Sequence, residues 1–111
     1  MIEKIVLDHL NKSLSVKAYT EVPEEAPTEY VIIEKVGCDE NNFLYQTALA
    51  IRPIAKSLAR AALIDEEVKN AMPKIAEHRQ ITRCKLSSGY NYTNTVTKEY
   101  RYQSIYELVH Y

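Results

Sequence analysis

The apolar positions of the chain change period along its length. Ile2, Ile5, Val6, His9, Leu10 and Leu14 recur at spacings of three and four, with Glu3, Asp8 and Lys12 on the polar side, which predicts an amphipathic helix over residues 2–14. Lys17–Glu21 reads as a short edge strand. Val22–Glu29 holds two prolines and three acids and is a loop. Tyr30–Val36 is rich in β-branched residues and reads as a strand that Gly37 ends, followed by a polar turn at Asp39, Glu40, Asn41 and Asn42. Phe43–Ile51 reads as the second main strand, a hairpin partner of the first. Phe43, Tyr45, Thr47, Leu49 and Ile51 share one face.

Pro53 stands where a helix N1 proline would stand, so the following IAKSLARAALI reads as a helix with Ile54, Leu58 and Ala62 as its buried stripe. Asp65 can cap a second helical segment, with Glu66 and Glu67 in its first turn, and Pro73 should kink or stop that segment near Met72. His78–Ser87 reads as a third strand. The polar stretch from Ser87 to Lys98 reads as a long loop or a protruding hairpin arm. Glu99–Tyr111 is the last strand, with Tyr100, Tyr102, Tyr106 and Leu108 on one face and Arg101, Gln103, Ile105, Glu107 and Val109 on the other.

This series implies an α+β fold: one domain over residues 1–111, an antiparallel sheet of about four strands, and two main helices packed on one face. The order is α-β-β-α-β-β, with room for the extra edge strand.

Composition narrows the class. At 111 residues, with 46% hydrophobic and 26% charged, the chain is an ordinary globular domain. Folding at this size buries roughly 65% of the extended chain's surface. No apolar run approaches the roughly 20 residues that span a bilayer. The opening MIEKIVLDHL carries acids and a histidine, so it does not read as a signal peptide, and the default compartment is cytoplasmic. Net charge is −1, against a globally basic nucleic-acid binder. Charge is uneven, however. Residues 1–40 hold nine acids and four bases, and residues 41–111 hold six acids and ten bases. Opposite-signed regions favour association between unlike patches, although short chains often scatter charge unevenly. Cys38 and Cys84 have no CxxC partner, which gives no zinc or redox pattern; both read as reduced thiols.

No catalytic constellation is present in the sequence, and no metal or cofactor is expected. Two glycines provide no phosphate-cradling loop, and there is no GxSxG, HExxH or Walker motif. His9, His78 and His110 stand apart, and His9 reads as a helix residue with a satisfied nitrogen. Two features rise above this background. Arg52, Lys56 and Arg60 are spaced by four and on one helix would form a basic ridge, read either as a solvated face or as a contact surface. Six of the nine tyrosines lie from Tyr90 onward. Tyr90 and Tyr92 fall in the polar stretch, where a large apolar ring with a polar tip suits an interface. The candidate interface residues are therefore Arg52, Lys56, Arg60, Tyr90 and Tyr92.

The stretch TRCKLSSGYNYTNTVTKEYRYQSIYELVHY, with MIEKIVLDHL, EVPEEAPTEYVIIEKVG and AKSLARAALIDEEVKNAM in the same order before it, resembles small tail-completion proteins of phages and prophages of Gram-positive bacteria. These are the head–tail joining or tail-terminator proteins of long-tailed phages. The resemblance implies a structural virion protein without enzymatic activity. It would form a ring, usually of six subunits, between the tail tube protein and the head connector protein. It would sit in the virion, and in the host cytoplasm during assembly, with no membrane and no specific nucleic-acid site. Two other readings stay open. One is a small nucleic-acid-binding α+β module using Arg79, Arg83, Lys85 and Arg101 with tyrosines. The other is a small enzyme whose site forms only in the tertiary fold.

Overall fold

A computed structural model describes residues 2–41, 43–91, 93 and 99–111. Helix α1 (Ile2–Ser13) buries Ile2, Val6 and Leu10, the spacing of four that the sequence carries. It ends where the Ser13 hydroxyl donates to the His9 carbonyl at 2.9 Å. The Asn11 amide then grips strand β1 (Lys17–Tyr19): its Oδ1 accepts from the Ala18 N–H at 2.8 Å and its Nδ2 donates to the Ala18 carbonyl at 3.4 Å. Glu67 holds the intervening turn, accepting from the Ser15 N–H and hydroxyl, each at 2.9 Å.

The fold is α+β, with two α-helices and one five-stranded mixed sheet in the order β1-β2-β3-β5-β4. Strands β2 (Tyr30–Asn41), β3 (Leu44–Ala55), β5 (Tyr100–His110) and β4 (Ile81–Asn91), in that order across the sheet, run antiparallel, each to the next. The all-antiparallel expectation is corrected at β1, which pairs parallel with Tyr30–Ile32. The loop carrying Pro23 and Pro27 makes that crossover, because parallel neighbours cannot be joined by a tight turn.

Two strands are longer than their local pattern predicts. Gly37 does not end β2. The register shifts by one residue between Lys35 and Gly37, and the strand continues through Asp39 and Glu40 to Asn41. A bulge absorbs the irregularity, and the exposed end of a long hairpin needs no apolar alternation. Asn41 opposes Leu44 across a turn in which Phe43 takes φ 68°, the left-handed conformation of hairpin turns.

The larger correction concerns Pro53. It is a buried residue of β3 opposite Val31, not the first residue of a helix. The ladder from β3 to β5 skips Arg52 and Pro53, where a proline has no N–H to donate. Helix α2 (Leu58–Ala71) starts later, because Ser57 is the better cap: its hydroxyl accepts from the Arg60 N–H at 3.2 Å. The basic ridge therefore does not exist as one helical face. Arg52 lies in β3, Lys56 in the turn and Arg60 in the first turn of α2. The buried stripe of α2 is Ala61, Ile64, Asp65, Val68 and Ala71 rather than Leu58 and Ala62, and Asp65 lies mid-helix instead of capping a second one. Pro73 does end the α-helix, as predicted, and a 3₁₀ segment (Met72–Glu77) carries the chain to β4.

The main core fills the space between the helices and one face of the sheet. Val6 and Leu10 of α1, Ile64 and Val68 of α2, and Met72 and Ile75 meet Val31, Ile33, Leu49, Ile51, Tyr106 and Leu108 there. A smaller cluster, Tyr30, Ile32 and Ile54 with Tyr19 beside it, lies on the opposite face near β1.

Candidate interaction surface

The helices cover one face of the sheet. Along β5, Tyr106 and Leu108 enter the core, whereas Arg101, Gln103, Ile105, Glu107 and Val109 face the other way. On this second face a row of polar side chains crosses four strands. Arg52 of β3 donates from Nη1 to Glu34 Oε2 of β2 at 2.7 Å, and from Nε to Gln103 Oε1 of β5. Gln103 Nε2 in turn donates to the Tyr90 hydroxyl of β4. Both hydrogen-bonding ends of the Gln103 amide are thus used, and the guanidinium is held in one plane by two acceptors. Gln103 is buried and Arg52 half-buried, while Tyr90 and Glu34 are largely exposed.

Beside this row lies an open groove of about 370 Å³. Its floor is apolar, from Tyr30, Ile32 and Ile54, and its rim carries Glu34, Arg52, Glu99 and Arg101. Arg101 Nη1 donates to Glu99 Oε1 at 2.8 Å. Tyr19 packs edge-on against Tyr30 with ring centroids 6.2 Å apart, and Lys17 Nζ lies 5.6 Å from the Tyr19 centroid. Aromatic and arginine side chains set in a preformed, partly apolar surface are the composition of the energetic centre of a protein interface.

Of the predicted interface residues, Arg52 and Tyr90 are brought together, through a glutamine that the sequence does not single out. Gln103 was nonetheless legible as one of three polar members, with Arg101 and Glu107, of the outward face of β5, and Glu34 as the acid within a β-branched strand. Lys56 is exposed in the turn before α2. Arg60 belongs elsewhere. Its guanidinium makes a two-pronged contact with Glu29, at 2.8 and 2.9 Å, which ties α2 to the loop before β2 and holds the Glu29 carboxyl below its ordinary value. Tyr92 lies outside the described residues. The four bases of the nucleic-acid reading are divided: Arg83 and Lys85 line one end of the open face with Gln46 and Glu107, Arg101 lies at the groove, and Arg79 precedes β4.

The histidines are placed differently from one another. His9 Nε2 lies 2.8 Å from the Ala71 carbonyl, the satisfied helix nitrogen that its position predicts. His78 Nδ1 accepts from the Gln80 N–H at 3.2 Å in the turn before β4. His110 is not isolated. Its Nε2 lies 2.7 Å from the Thr47 hydroxyl, which is 3.5 Å from the Cys38 sulfur, and its ring stacks on Tyr45. The direction of the Thr47–His110 bond follows the ring's tautomer, and in either case the Thr47 hydroxyl stands between the imidazole and the thiol. Among the described residues no cluster of three or more His, Cys, Asp or Glu could hold a metal ion, and no helix is long and apolar enough to cross a membrane. No protein-family model matches the chain, and no curated protein matches it.

Proposed function

We propose that the chain is a structural assembly subunit of a long-tailed phage or prophage. In this reading it forms a ring that completes or terminates the tail, and it joins the tail tube protein to the head connector protein. The observation that carries the assembly role is the polar row Glu34–Arg52–Gln103–Tyr90 beside an apolar groove, on a sheet face that the chain's own helices leave uncovered. Such a surface is ordered before a partner arrives, so docking on it loses little side-chain entropy. The phage context comes from the whole-chain resemblance.

The test is mass in solution by light scattering over a concentration series, at low and high salt, followed by co-sedimentation with assembled tail tubes. A ring of several subunits, or capture on tube ends that Arg52→Ala weakens, supports the reading. A monomer at every concentration that also ignores tubes overturns it. Salt-sensitive binding of that monomer to DNA or RNA would put the nucleic-acid module in its place.

A further inference from the structure

Resting on the assembly reading, we propose how one copy meets the next: the outer edge of β4 on one copy pairs antiparallel with the outer edge of β2 on its neighbour. The contact is head-to-tail and continues the sheet from copy to copy.

The sheet has two unpaired borders among the described residues. Strand β4 closes one side and has β5 as its single neighbour. On the other side β1 covers Tyr30–Ile32 of β2 and leaves the remainder, to Asn41, without a strand beside it. Each border is a row of backbone donors and acceptors able to template another strand. The free part of β2 is nine residues, about 30 Å of strand, and β4, at 11 residues, is long enough to run beside all of it. Charged side chains on an edge normally discourage such pairing. Here the two edges have opposite signs. From Arg79 to Asn91 the bases are Arg79, Arg83 and Lys85, with no acid; from Ile33 to Asn41 the acids are Glu34, Asp39 and Glu40, against Lys35 alone.

Among the described residues Arg79, Arg83, Lys85, Asp39 and Glu40 take part in none of the ion pairs, and the acid nearest the β4 bases along the ladder is Glu107, opposite Lys85. Pairing β4 with β4, or β2 with β2, sets like charges opposite each other and is disfavoured. Pairing β4 with β2 sets bases against acids. Each edge also exposes apolar surface, from Leu86 and Tyr90 on β4 and from Val36 on β2. The direction follows from the topology. Within one copy β4 runs opposite to β2, because three antiparallel pairings separate them. Rotation about an axis along the strands keeps those directions, so β4 meets the neighbour's β2 antiparallel. Such a contact uses two different patches and is the kind that closes rings or grows filaments.

Charge exchange tests this directly. One variant carries Arg83→Glu and Lys85→Glu; a second carries Asp39→Lys and Glu40→Lys. All positions are exposed, and circular dichroism checks that both variants fold. Wild type should assemble, each variant alone should scatter as a monomer, and an equimolar mixture of the two should recover assembled mass, because each edge again meets its opposite. Variants that assemble like wild type, or a mixture that stays monomeric, overturn the edge pairing while leaving a ring built some other way standing. A wild-type chain that is monomeric throughout overturns the pairing together with self-assembly. As a second measurement, a Cys84→Ser, Leu86→Cys chain keeps one exposed thiol on each edge, Cys38 and residue 86. A short bis-maleimide should link assembled chains into a covalent ladder. Assembled chains that give no ladder overturn the pairing.

Discussion

Tyr106 brings a phenol into the core at 2% exposure, and among the described residues its hydroxyl has no hydrogen-bond partner. Burial first, and then the nearby charge of Asp65, raises this phenol well above its ordinary value, against a smaller opposing pull from the nearby Ser104 hydroxyl, which does not reach hydrogen-bond geometry. An unpartnered buried hydroxyl costs free energy. Tyr106→Phe is therefore expected to leave the urea midpoint unchanged or raise it, with an unchanged slope. A loss above about 1 kcal/mol would show that the hydroxyl has a partner in solution. The two thiols offer a second comparison. Burial pushes Cys84 up to about 11, whereas Cys38 is exposed on β2. The thiolate is the reacting species. Titration with a thiol reagent at pH 8 should give one fast equivalent per chain, and Cys38→Ser should abolish it while the slow equivalent remains.

At the scale of elements, Ser57 decides where the strand stops and the helix starts. Its backbone is extended, at φ −139° and ψ 158°, and its hydroxyl satisfies one of the first free N–H groups of α2. Ser57→Ala should cost about 1 kcal/mol in chemical denaturation. Ser87→Ala, on the exposed part of β4, should stay within about 0.5 kcal/mol. The next device on this helix is the Arg60–Glu29 pair. Its carboxyl is lowered by the Arg60 hydrogen bonds, so it favours the folded state fully above the ordinary glutamate range, and that contribution is lost as pH falls through the lowered folded value. The pair is exposed, so the effect is small and screened by salt. The difference in thermal midpoint between wild type and Glu29→Gln should be constant near neutrality, begin to shrink as pH falls into the ordinary glutamate range, and vanish only below the lowered folded value.

Across the whole molecule, stability should follow position in the sheet. Strand β3 has β2 and β5 on its two sides, and Leu49, Ala50 and Ile51 are fully buried. Strand β4 has one neighbour, and from Ser87 to Asn91 it is exposed. Amide hydrogen exchange should therefore show Leu49–Ile51 opening only with global unfolding, and the far half of β4 exchanging orders of magnitude faster through local opening. Equal protection of the two segments would mean that the β4–β5 arm is covered in solution. Pairing of the β4 edge with a neighbour's β2 is one way to cover it, so the comparison belongs at concentrations below assembly.

Some of this architecture is written in local pattern. The spacing of four in α1, the β-branched start of β2, the stop at Pro73 and the two faces of β5 each follow from neighbours a few residues apart, and period alone reports which side is buried. The polar character of Gln103 on the outward face was likewise readable. Other features depend on contacts between distant segments. The run Leu49–Ala55, apolar but for Arg52, suits a helix or a central strand equally. It is a strand because β2 and β5 flank it, and no local signal carries that. The same pairing turns Arg52, spaced for a helix face with Lys56 and Arg60, into the centre of a row with Glu34, Gln103 and Tyr90. It also carries Gly37 through a bulge and lays β1 parallel to β2. Asp65, with the identity of a helix cap, is instead a buried acceptor for Ser104 at 2.8 Å and Lys69 at 3.0 Å. Periodicity records which residues avoid water. Which strand lies beside which is set by packing over tens of residues, and the candidate surface is built from that adjacency.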